Sequence, residues 1–288
     1  MDIKENISLS KHTTFKIGGS ARYFCIAKSK QDLIKAVKKA KELNLPFFIL
    51  GGGSNVLALD KGFNGLVIKL QTTNYKLQDS NIYVEAGTKL EDLVSFSAKN
   101  SLTGLEWAAG IPGTIGGAVY GNAQAFDIKM SNIVKSVEVL NFKTLKIKNF
   151  LEKQCQFSSK ESIFKKNKNL IILSVLLKLK NGNKEKIQEE IKEHLDYRKK
   201  NHPLKFPSAG SIFVNKTGEL SSSYLIEKAG LKGMKVGGVK ISEKHAGFIV
   251  NTGKAKAKDV LDLIKIIKQK VKSKFGITLK EEIQIIST

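Results

Sequence analysis

Gly110-Ile-Pro-Gly-Thr-Ile-Gly-Gly-Ala-Val-Tyr-Gly-Asn-Ala-Gln-Ala-Phe126 is the stretch that decides the fold of this chain. It contains five glycines and one proline. A hydrophobic core gains little from such a stretch, because glycine loses much backbone entropy on folding and has no side chain to bury. Glycines at this density are typical of a backbone that passes very close to another group. The alternative is a close crossing of a helix and a strand that only glycine permits.

A second glycine-rich stretch, Ile49-Leu-Gly-Gly-Gly-Ser-Asn-Val-Leu57, comes earlier in the chain. It follows the apolar run 47–50, which predicts a buried strand, so the backbone N–H groups of residues 51–55 are candidates for binding an anion. The alternative is a tight turn between two strands. No Gly-Lys-Ser/Thr follows, and Val56 replaces the third glycine of the dinucleotide-binding fingerprint, so neither common phosphate motif is present. Together the two stretches predict a large, flat or phosphate-bearing ligand.

Length and composition indicate an ordinary globular protein of about two or three domains, with 288 residues, 41% hydrophobic and 26% charged. No apolar run approaches the roughly 18 residues that span a bilayer, and the N-terminus lacks the apolar core of a signal peptide. Two cysteines, Cys25 and Cys155, give neither a disulfide framework nor a metal-ligand cluster. We therefore expect a cytoplasmic protein with no metal site.

The net charge of +23 would ordinarily favour nucleic-acid binding. However, only Arg22 and Arg198 among the 49 basic residues are arginines, and the lysines are spread along the whole chain. Arginine is the preferred bidentate ligand of phosphates and guanine edges. The composition therefore predicts no nucleic-acid partner, although a positive field attracts small polyanions.

The order of predicted helices and strands indicates a mixed α/β organisation. Ser29-Lys-Gln-Asp32 resembles a capping box that opens an amphipathic helix, and Pro46 precedes the strand at 47–50. A strand at 83–86 is followed by a helix capped at Thr88, and Asn181-Gly-Asn marks a boundary. Further predicted elements are strands at 134–140 and 170–179, a charged helix at about 184–200, a short helix ending at Gly230, strands near 236–240 and 246–250, a helix at about 257–274 closed by Gly276, and a strand at 281–286.

Six short motifs occur along the chain: Thr13-Thr-Phe-Lys-Ile-Gly-Gly19, Ile49-Leu-Gly-Gly-Gly-Ser-Asn55, Gly110-Ile-Pro-Gly-Thr-Ile-Gly-Gly117, Pro207-Ser-Ala-Gly-Ser-Ile-Phe213, Glu227-Lys-Ala-Gly-Leu-Lys-Gly233 and Glu243-Lys-His-Ala-Gly-Phe-Ile-Val-Asn251. In this order they resemble the UDP-N-acetylenolpyruvoylglucosamine reductases, and the resemblance covers essentially the whole chain. The short interval between Asn215 and Leu225 is similar to the family's second type, which lacks an inserted tyrosine-bearing substrate loop.

The resemblance implies an α+β fold: an FAD-binding domain of the vanillyl-alcohol-oxidase (PCMH) type in two subdomains, plus a smaller C-terminal α+β substrate domain. The expected boundaries are 1–71, joined by the last strand at 279–288, then 72–181, then 182–278. The implied cofactor is non-covalent FAD, with NADPH as co-substrate. The implied reaction reduces the enolpyruvyl group of a UDP-sugar to give UDP-N-acetylmuramate for peptidoglycan. Neither a membrane nor an obligate protein partner is implied.

The resemblance also implies which residues bind. The substrate would contact Asn215, His245 and Lys200, with Lys199 as the alternative lysine and a structural hydrogen bond as the alternative role of His245. The FAD would contact Ile49, Leu50, Gly51, Gly52, Gly53, Ser54, Asn55, Gly110, Ile111, Pro112, Gly113, Thr114, Gly116, Gly117, Ala118 and Asn122.

Three residues are candidates for the chemistry of substrate reduction. Hydride transfer to the enolpyruvyl methylene leaves negative charge at the neighbouring carbon, which needs both a stabilising group and a proton. Ser211 matches the family's proton donor, and the alternative is a turn serine that bonds nearby backbone. Glu282 matches the family's catalytic glutamate, and the alternative is an exposed strand carboxylate beside Glu281, where the family often has proline.

Lys160 is the third candidate, and here the sequence departs from the family. The family reads Tyr-Arg-x-Ser after a phenylalanine, whereas this chain reads Phe157-Ser-Ser-Lys-Glu-Ser162. Lys160 therefore replaces an arginine, and Ser159 replaces a tyrosine. A lysine keeps the positive charge but loses the planar fork of a guanidinium. We predict that Lys160 stabilises the developing charge, and the alternative is one more surface lysine.

Two other functions are compatible with parts of the sequence. Another FAD-dependent oxidoreductase of the same cofactor-domain superfamily would share the glycine stretches. Such enzymes often bind their flavin covalently through histidine or cysteine, but His12 and Cys25 lie outside both stretches. A basic binding module would explain the charge, but the scattered lysines disfavour it.

Overall fold

The computed structural model describes residues 2–215 and 220–287, so residues 216–219 of the short interval after Asn215 lie outside the described residues. The helices of the described part are α1 Lys30–Glu42, α2 Leu90–Lys99, α3 Ile115–Tyr120, α4 Ile163–Lys166, α5 Lys184–Asn201, α6 Ser222–Lys228 and α7 Ala257–Phe275. The strands are β1 Ile3–Ser8, β2 Ser20–Ala27, β3 Phe47–Leu50, β4 Val56–Ala58, β5 Phe63–Leu70, β6 Tyr75–Gln78, β7 Asn81–Glu85, β8 Leu102–Thr103, β9 Gln124–Ala125, β10 Ile128–Lys129, β11 Val134–Asn141, β12 Ile147–Leu151, β13 Leu170–Lys178, β14 Lys180–Asn181, β15 Ser208–Ser211, β16 Lys235–Val236, β17 Val239–Ile241, β18 Phe248–Asn251 and β19 Gln284–Ile286.

The chain divides into two compact units. The first unit comprises Met1–Ile3, Cys25–Gly52 and Val67–Tyr197, and the second unit comprises Lys4–Phe24, Gly53–Leu66 and Arg198–Thr288. A four-stranded sheet has the order β1-β2-β5-β3, and strands β2 and β5 each begin in the second unit and end in the first. The mixture of helices and strands agrees with the predicted α+β class.

The first unit is built on a five-stranded antiparallel sheet in the order β12-β11-β13-β7-β6. Strands β11 and β13 lie where the sequence predicted them, and Val137 pairs with Val175 at their centre. The side chains of β13 are buried over most of its length, because neighbours flank it on both sides. Such strands are rich in Val, Ile and Leu without strict alternation, as this one is.

The sequence predicted capping residues for two helices of this unit, and one of the two is confirmed. Helix α1 begins after Ser29, whose hydroxyl accepts a hydrogen bond from the Asp32 N–H at 3.1 Å, as predicted. The predicted cap at Thr88 is wrong, because α2 begins only after Lys89. Thr88 is fully buried, and its carbonyl accepts a hydrogen bond from the Ile115 N–H. A tertiary contact has therefore replaced the local cap.

The second unit packs helix α7 against a four-stranded antiparallel sheet in the order β15-β18-β17-β16. The apolar face of α7, including Val260, Leu263 and Ile267, belongs to the buried core of this unit. Gly276 ends α7 in the left-handed conformation with φ +71°, as predicted. The other end depends on Asp60, whose carboxylate accepts hydrogen bonds from the first N–H groups of α7.

The end of the chain forms a shorter strand than predicted. Only Gln284–Ile286 is a strand, and it pairs in parallel with β4. Glu281, which lies before this strand, forms a single antiparallel β-bridge with Phe213. None of the helices in the described part of the chain is long and apolar enough to cross a membrane.

Candidate active site

The two glycine-rich stretches contact each other directly in the first unit. A Cβ atom on Gly52 would lie 2.6 Å from the Cα of Gly113, and one on Gly51 would lie 2.6 Å from Thr114 Oγ1. Real side chains do not approach so closely, so both positions require glycine. Part of the glycine density is therefore explained by packing of the chain against itself. The close helix–strand crossing that the sequence suggested is also present, because a Cβ on Gly116 of α3 would lie 2.8 Å from Ala86, next to the end of β7.

Helix α3 begins inside the second stretch and was not predicted. Thr114 precedes it as the N-cap residue, and its hydroxyl accepts a hydrogen bond from the Gly117 N–H at 3.4 Å. Two adjacent glycines are poor helix formers, so propensity gave no signal for this helix. Tertiary hydrogen bonds fix its start instead, including one of 2.9 Å from the Gly116 N–H to the Ala86 carbonyl.

Two glycines, Gly117 within α3 and Gly121 directly after it, are not explained by packing. A Cβ on Gly117 would meet only Thr114 Oγ1 at 3.6 Å, and one on Gly121 would meet only the Gly117 carbonyl at 3.7 Å. Neither residue has a left-handed backbone. Glycine in a helix costs about 0.5–1 kcal/mol relative to alanine. The protein therefore leaves a side-chain-free surface beside α3 that a bound group can fill.

The first stretch joins strand β3 to strand β4, so the turn between two strands that the sequence left open is present. Gly53 has φ +72°, and its carbonyl accepts a hydrogen bond from the Thr14 N–H at 3.0 Å. The Asn55 carbonyl accepts one from the Gln284 N–H, also at 3.0 Å. These bonds within the second unit hold the end of the loop in one conformation. The other predicted FAD residues lie in the same two stretches: Ile49 and Leu50 in β3, Ser54 in the loop, Gly110, Ile111 and Pro112 before α3, and Ala118 within it.

Lys160 lies at a tight turn in an unusual conformation. Residues 158–161 form the turn, with the Glu161 N–H donating to the Ser158 carbonyl at 3.2 Å. Lys160 is its third residue and has φ +59°. The left-handed region costs a residue with a Cβ roughly 1–2 kcal/mol. The side chain of Lys160 is half-buried rather than fully exposed.

Three hydrogen bonds hold this turn, two of them to the end of α3. Asn122 Nδ2 donates to the Ser158 carbonyl at 2.8 Å, and Ser162 Oγ donates to the Tyr120 carbonyl at 2.7 Å. Lys165 Nζ donates to the carbonyl of Lys160 itself at 2.8 Å. Asn122 was predicted to contact FAD, but its side chain is 1% exposed and hydrogen-bonds to the turn at Ser158. The second glycine stretch and Lys160 are thus brought together.

Ser211, Glu282 and His245 are brought together in the second unit. The Glu282 N–H donates to the carbonyl of Ile212 at 2.8 Å, so the segments that carry Ser211 and Glu282 are adjacent. A Cβ on Gly247 would lie 3.2 Å from Ser211 Oγ and 3.1 Å from the His245 ring. Both side chains therefore lie over Gly247, whose lack of a side chain leaves them room.

His245 has a defined tautomer in its neutral form. Its Nδ1 accepts a hydrogen bond from the Gly247 N–H at 3.2 Å, so in the neutral ring Nε2 carries the proton. Burial lowers the pKa of His245. Burial, and then the His245 ring 5.4 Å away, lower the pKa of His202 to about 4. A structural hydrogen bond, which the sequence analysis gave as the alternative role of His245, is therefore present at Nδ1. In this tautomer Nε2 can still donate a hydrogen bond.

Asn215 lies at the start of α6, whereas the predicted lysines Lys199 and Lys200 lie at the end of α5. Asn215 Oδ1 accepts hydrogen bonds from the N–H and the hydroxyl of Ser222, so it caps α6. Lys200 is exposed at the end of α5, whereas its neighbour Lys199 lines a cavity of about 310 Å³. The lining of this cavity includes four lysines, one histidine and one phenylalanine, which are Lys199, Lys205, Lys240, Lys244, His202 and Phe206. Sequence analysis missed this cluster, because its lysines come from separate segments.

Comparison with known proteins identifies the class of protein first. Residues 21–144 match the FAD binding domain family. Both glycine-rich stretches fall inside this range, and the side-chain-free surface beside α3 is compatible with a flat cofactor. The protein is therefore an FAD-binding flavoprotein.

The particular family follows from the rest of the chain. Residues 202–286 match the family UDP-N-acetylenolpyruvoylglucosamine reductase, C-terminal domain. The chain is 42% identical to the UDP-N-acetylenolpyruvoylglucosamine reductase of Caldanaerobacter subterraneus subsp. tengcongensis, over 98% of this chain and 92% of that protein. It is 40% identical to that of Clostridium tetani, over 99% and 92%. The crystal structure of this reductase from Thermus caldophilus is 34% identical, with a TM-score of 0.85 over 99% of each chain. The chain belongs to the UDP-N-acetylenolpyruvoylglucosamine reductase family, which confirms the predicted resemblance and fold class.

The two kinds of glycine predict opposite effects of alanine. Gly52→Ala forces a methyl group into the Gly113 backbone, and such overpacking lowers the free energy of unfolding by about 1–3 kcal/mol. Gly117→Ala leaves the unfolding free energy of the apoprotein unchanged or raises it by up to about 1 kcal/mol, because a helical glycine is removed. The same methyl group fills the cofactor surface, so we expect the Kd for FAD to rise about tenfold or more.

Urea unfolding of the apoproteins and flavin-fluorescence titration measure these two quantities separately. Lys38→Ala, at an exposed position of α1, is the control and should leave the Kd for FAD unchanged. A Gly117→Ala apoprotein that binds FAD as tightly as the unsubstituted protein would contradict a cofactor position against α3.

Proposed function

We propose that this protein is an NADPH-dependent flavoenzyme that reduces UDP-N-acetylglucosamine enolpyruvate to UDP-N-acetylmuramate in peptidoglycan precursor synthesis. One observation carries the proposal: a single chain joins an FAD binding domain at 21–144 to the reductase family's C-terminal domain at 202–286. Relatives named for this reductase match it over nearly its full length, at up to 42% identity. The enzyme works in the cytoplasm on a small-molecule substrate and needs no obligate protein partner.

FAD, when bound, would supply the hydride chemistry between the nicotinamide and the enolpyruvyl methylene. The backbone N–H groups of residues 51–55 would hold its pyrophosphate, and the stretch from Gly110 to Asn122 would form the wall beside it. The cofactor is not tethered. The ring of His12 is stacked on Phe24 at 4.4 Å, and burial raises the pKa of the Cys25 thiol to about 11, which makes a nucleophilic thiolate scarce.

Ser211 supplies the proton in the second half of the reaction. Hydride addition leaves negative charge on the carbon next to the methylene, and a hydroxyl proton delivered there completes the reduction. The backbone of Glu282 is held on the segment next to Ser211 by the hydrogen bond from its N–H to the Ile212 carbonyl. His245 offers its Nε2–H as a donor to substrate, while its Nδ1 holds the Gly247 backbone beneath Ser211.

Lys160 stabilises the negative charge that develops on the substrate. A strained backbone persists only where its surroundings hold it, and such residues cluster at functional sites. Lys160 meets this description, because hydrogen bonds from Asn122 and Lys165 clamp its turn. The rigid turn also compensates for the lost fork of the family's arginine, since it limits where the ammonium can lie.

The substrate diphosphate binds at the lysine-lined cavity. The lining includes one carboxylate, that of Glu243, which pairs with Lys240 at 3.4 Å. The remaining lysines, Lys199, Lys205 and Lys244, give the excess positive charge that a diphosphate needs, and Phe206 offers an apolar ring face for a base. Lys199 rather than Lys200 is the cation at the end of α5, since only Lys199 lines this cavity. Asn215 contributes by fixing the start of α6.

The proposed domain boundaries remain 1–71 with 279–288, then 72–181, then 182–278. The parallel pairing of β19 with β4 supports joining the last strand to the first segment. The end of β14 at Asn181 and the start of α5 at Lys184 support the second boundary.

A two-step anaerobic experiment tests the proposed activity. We expect purified protein to be yellow, to be bleached by NADPH, and to regain its colour when UDP-N-acetylglucosamine enolpyruvate is added. UDP-N-acetylglucosamine, which lacks the enolpyruvyl group, is the control and should leave the protein bleached. If the bleached protein regains its colour with neither of the two compounds, the proposed substrate is refuted. A colourless protein that cannot be reconstituted with FAD would refute flavin chemistry altogether.

Lys160 can be tested by changing its charge. Lys160→Met should slow substrate-dependent reoxidation by about 10²–10³-fold, because one preorganised stabilising charge is lost, whereas Lys160→Arg should retain most of the rate. Stopped-flow absorbance separates this step from bleaching by NADPH. Lys166→Met, at an exposed lysine of α4, is the matched control. Equal reoxidation rates in all the variants would rule out a catalytic lysine at position 160.

A further inference from the structure

Lys69 is a charged residue in an unexpected place. It lies on β5, the strand between β2 and β3 in the four-stranded sheet. Lysine is depleted in strands, and an interior strand gives its ammonium little access to water. The side chain is half-buried, and burial lowers its pKa to about 8. An ammonium held in such surroundings indicates a role beyond the sheet.

The ammonium of Lys69 is directed at the first glycine-rich stretch. Its Nζ donates a hydrogen bond to the carbonyl of Gly51 at 2.5 Å. Gly51 is followed by Gly52, whose position is fixed by its contact with the Gly113 backbone. Lys69 therefore contacts the loop at Gly51, next to Gly52, whose position is fixed by packing.

We infer that Lys69 is a cofactor-binding residue, which acts through the Gly51–Gly52 peptide to provide the positive charge that the FAD pyrophosphate needs. The inference rests on the proposed function, in which residues 51–55 bind that pyrophosphate. Sequence analysis gave no hint of this residue, because it lies outside both glycine-rich stretches.

The geometry of one peptide unit carries the argument. The structure contains no cis peptide bond in its described part, so the C=O of Gly51 and the N–H of Gly52 point in opposite directions. With the carbonyl bound to Lys69, the N–H of Gly52 is turned away from the lysine. A cation on the carbonyl polarises the peptide and makes its N–H a stronger donor. Lys69 thus orients the Gly52 N–H and makes it a stronger hydrogen-bond donor.

The charge of Lys69 also acts directly. With a pKa of about 8, most of the side chain is protonated at neutral pH. A partly desolvated ammonium interacts more strongly with a nearby anion than a surface lysine does, because water screens it less. The loop N–H groups are neutral, whereas the pyrophosphate of FAD carries two negative charges. Lys69 adds a positive charge on the side of the Gly51–Gly52 peptide opposite to the Gly52 N–H.

Cofactor titrations with two flavins test the inference. Lys69→Met removes the ammonium but keeps an unbranched apolar side chain, and Lys69→Arg keeps the charge. We expect Lys69→Met to raise the Kd of FAD by about 10–100-fold and to flatten its dependence on salt, because an ionic contribution is lost. The Kd of riboflavin, which has no pyrophosphate, should change less than about twofold by the same reasoning. Lys69→Arg should bind FAD within about threefold of the unsubstituted protein.

Lys178→Met, at an exposed lysine on β13, is the matched control and should change neither Kd. Thermal unfolding of the apoproteins shows whether a variant is simply misfolded. Equal loss of FAD and riboflavin binding, together with a lower Tm, would reduce Lys69 to a structural residue and overturn the inference. Unchanged FAD affinity in Lys69→Met would overturn it as well. If the unsubstituted protein binds riboflavin as tightly as FAD, the proposed pyrophosphate loop fails first, and the inference fails with it.

Discussion

The backbone contact between Gly52 and Gly113 is the constraint on which the candidate site of the first unit depends. It allows the loop after β3 to lie against the start of α3 without any intervening side chain. The end of α3 in turn holds the turn of Lys160, through Asn122 and the Tyr120 carbonyl. The Gly51–Gly52 segment, helix α3 and the turn of Lys160 are therefore held together in the first unit. Any side chain at position 52 would disturb this packing.

Sequence patterns predicted the elements whose signals are local. Ser29 caps α1 and Gly276 ends α7, because each signal lies within a few residues of the helix end. The start of α7 was beyond such reasoning, since its carboxylate cap, Asp60, lies 197 residues before Ala257 in the chain. Helix α3 was missed and Thr88 was misassigned for the same reason: tertiary hydrogen bonds, rather than propensity, fix both.

The candidate site was predictable as a set of residues but not as an arrangement. The motifs indicated Ser211, Glu282 and Lys160, yet nothing in the sequence pointed to the strained backbone of Lys160 or to the shared position of Ser211 and His245 over Gly247. The glycines divided into two kinds only in the structure. Gly52 is needed for the chain to pack on itself, whereas Gly117 faces free space. This difference in the space beside Gly52 and Gly117 supports the proposed position of the flavin against α3.

We propose that backbone N–H groups of residues 51–55 bind the FAD pyrophosphate, whereas the stretch from Gly110 to Asn122 forms the wall beside the cofactor. Hydrogen exchange of the apoprotein, with and without FAD, tests this placement, because bound amide groups exchange slowly. We expect FAD to slow exchange at residues 51–55 by at least about tenfold, while riboflavin, which has no pyrophosphate, leaves these residues nearly unchanged. Unchanged exchange at residues 51–55 at saturating FAD, with protection elsewhere, would show that the pyrophosphate does not bind there.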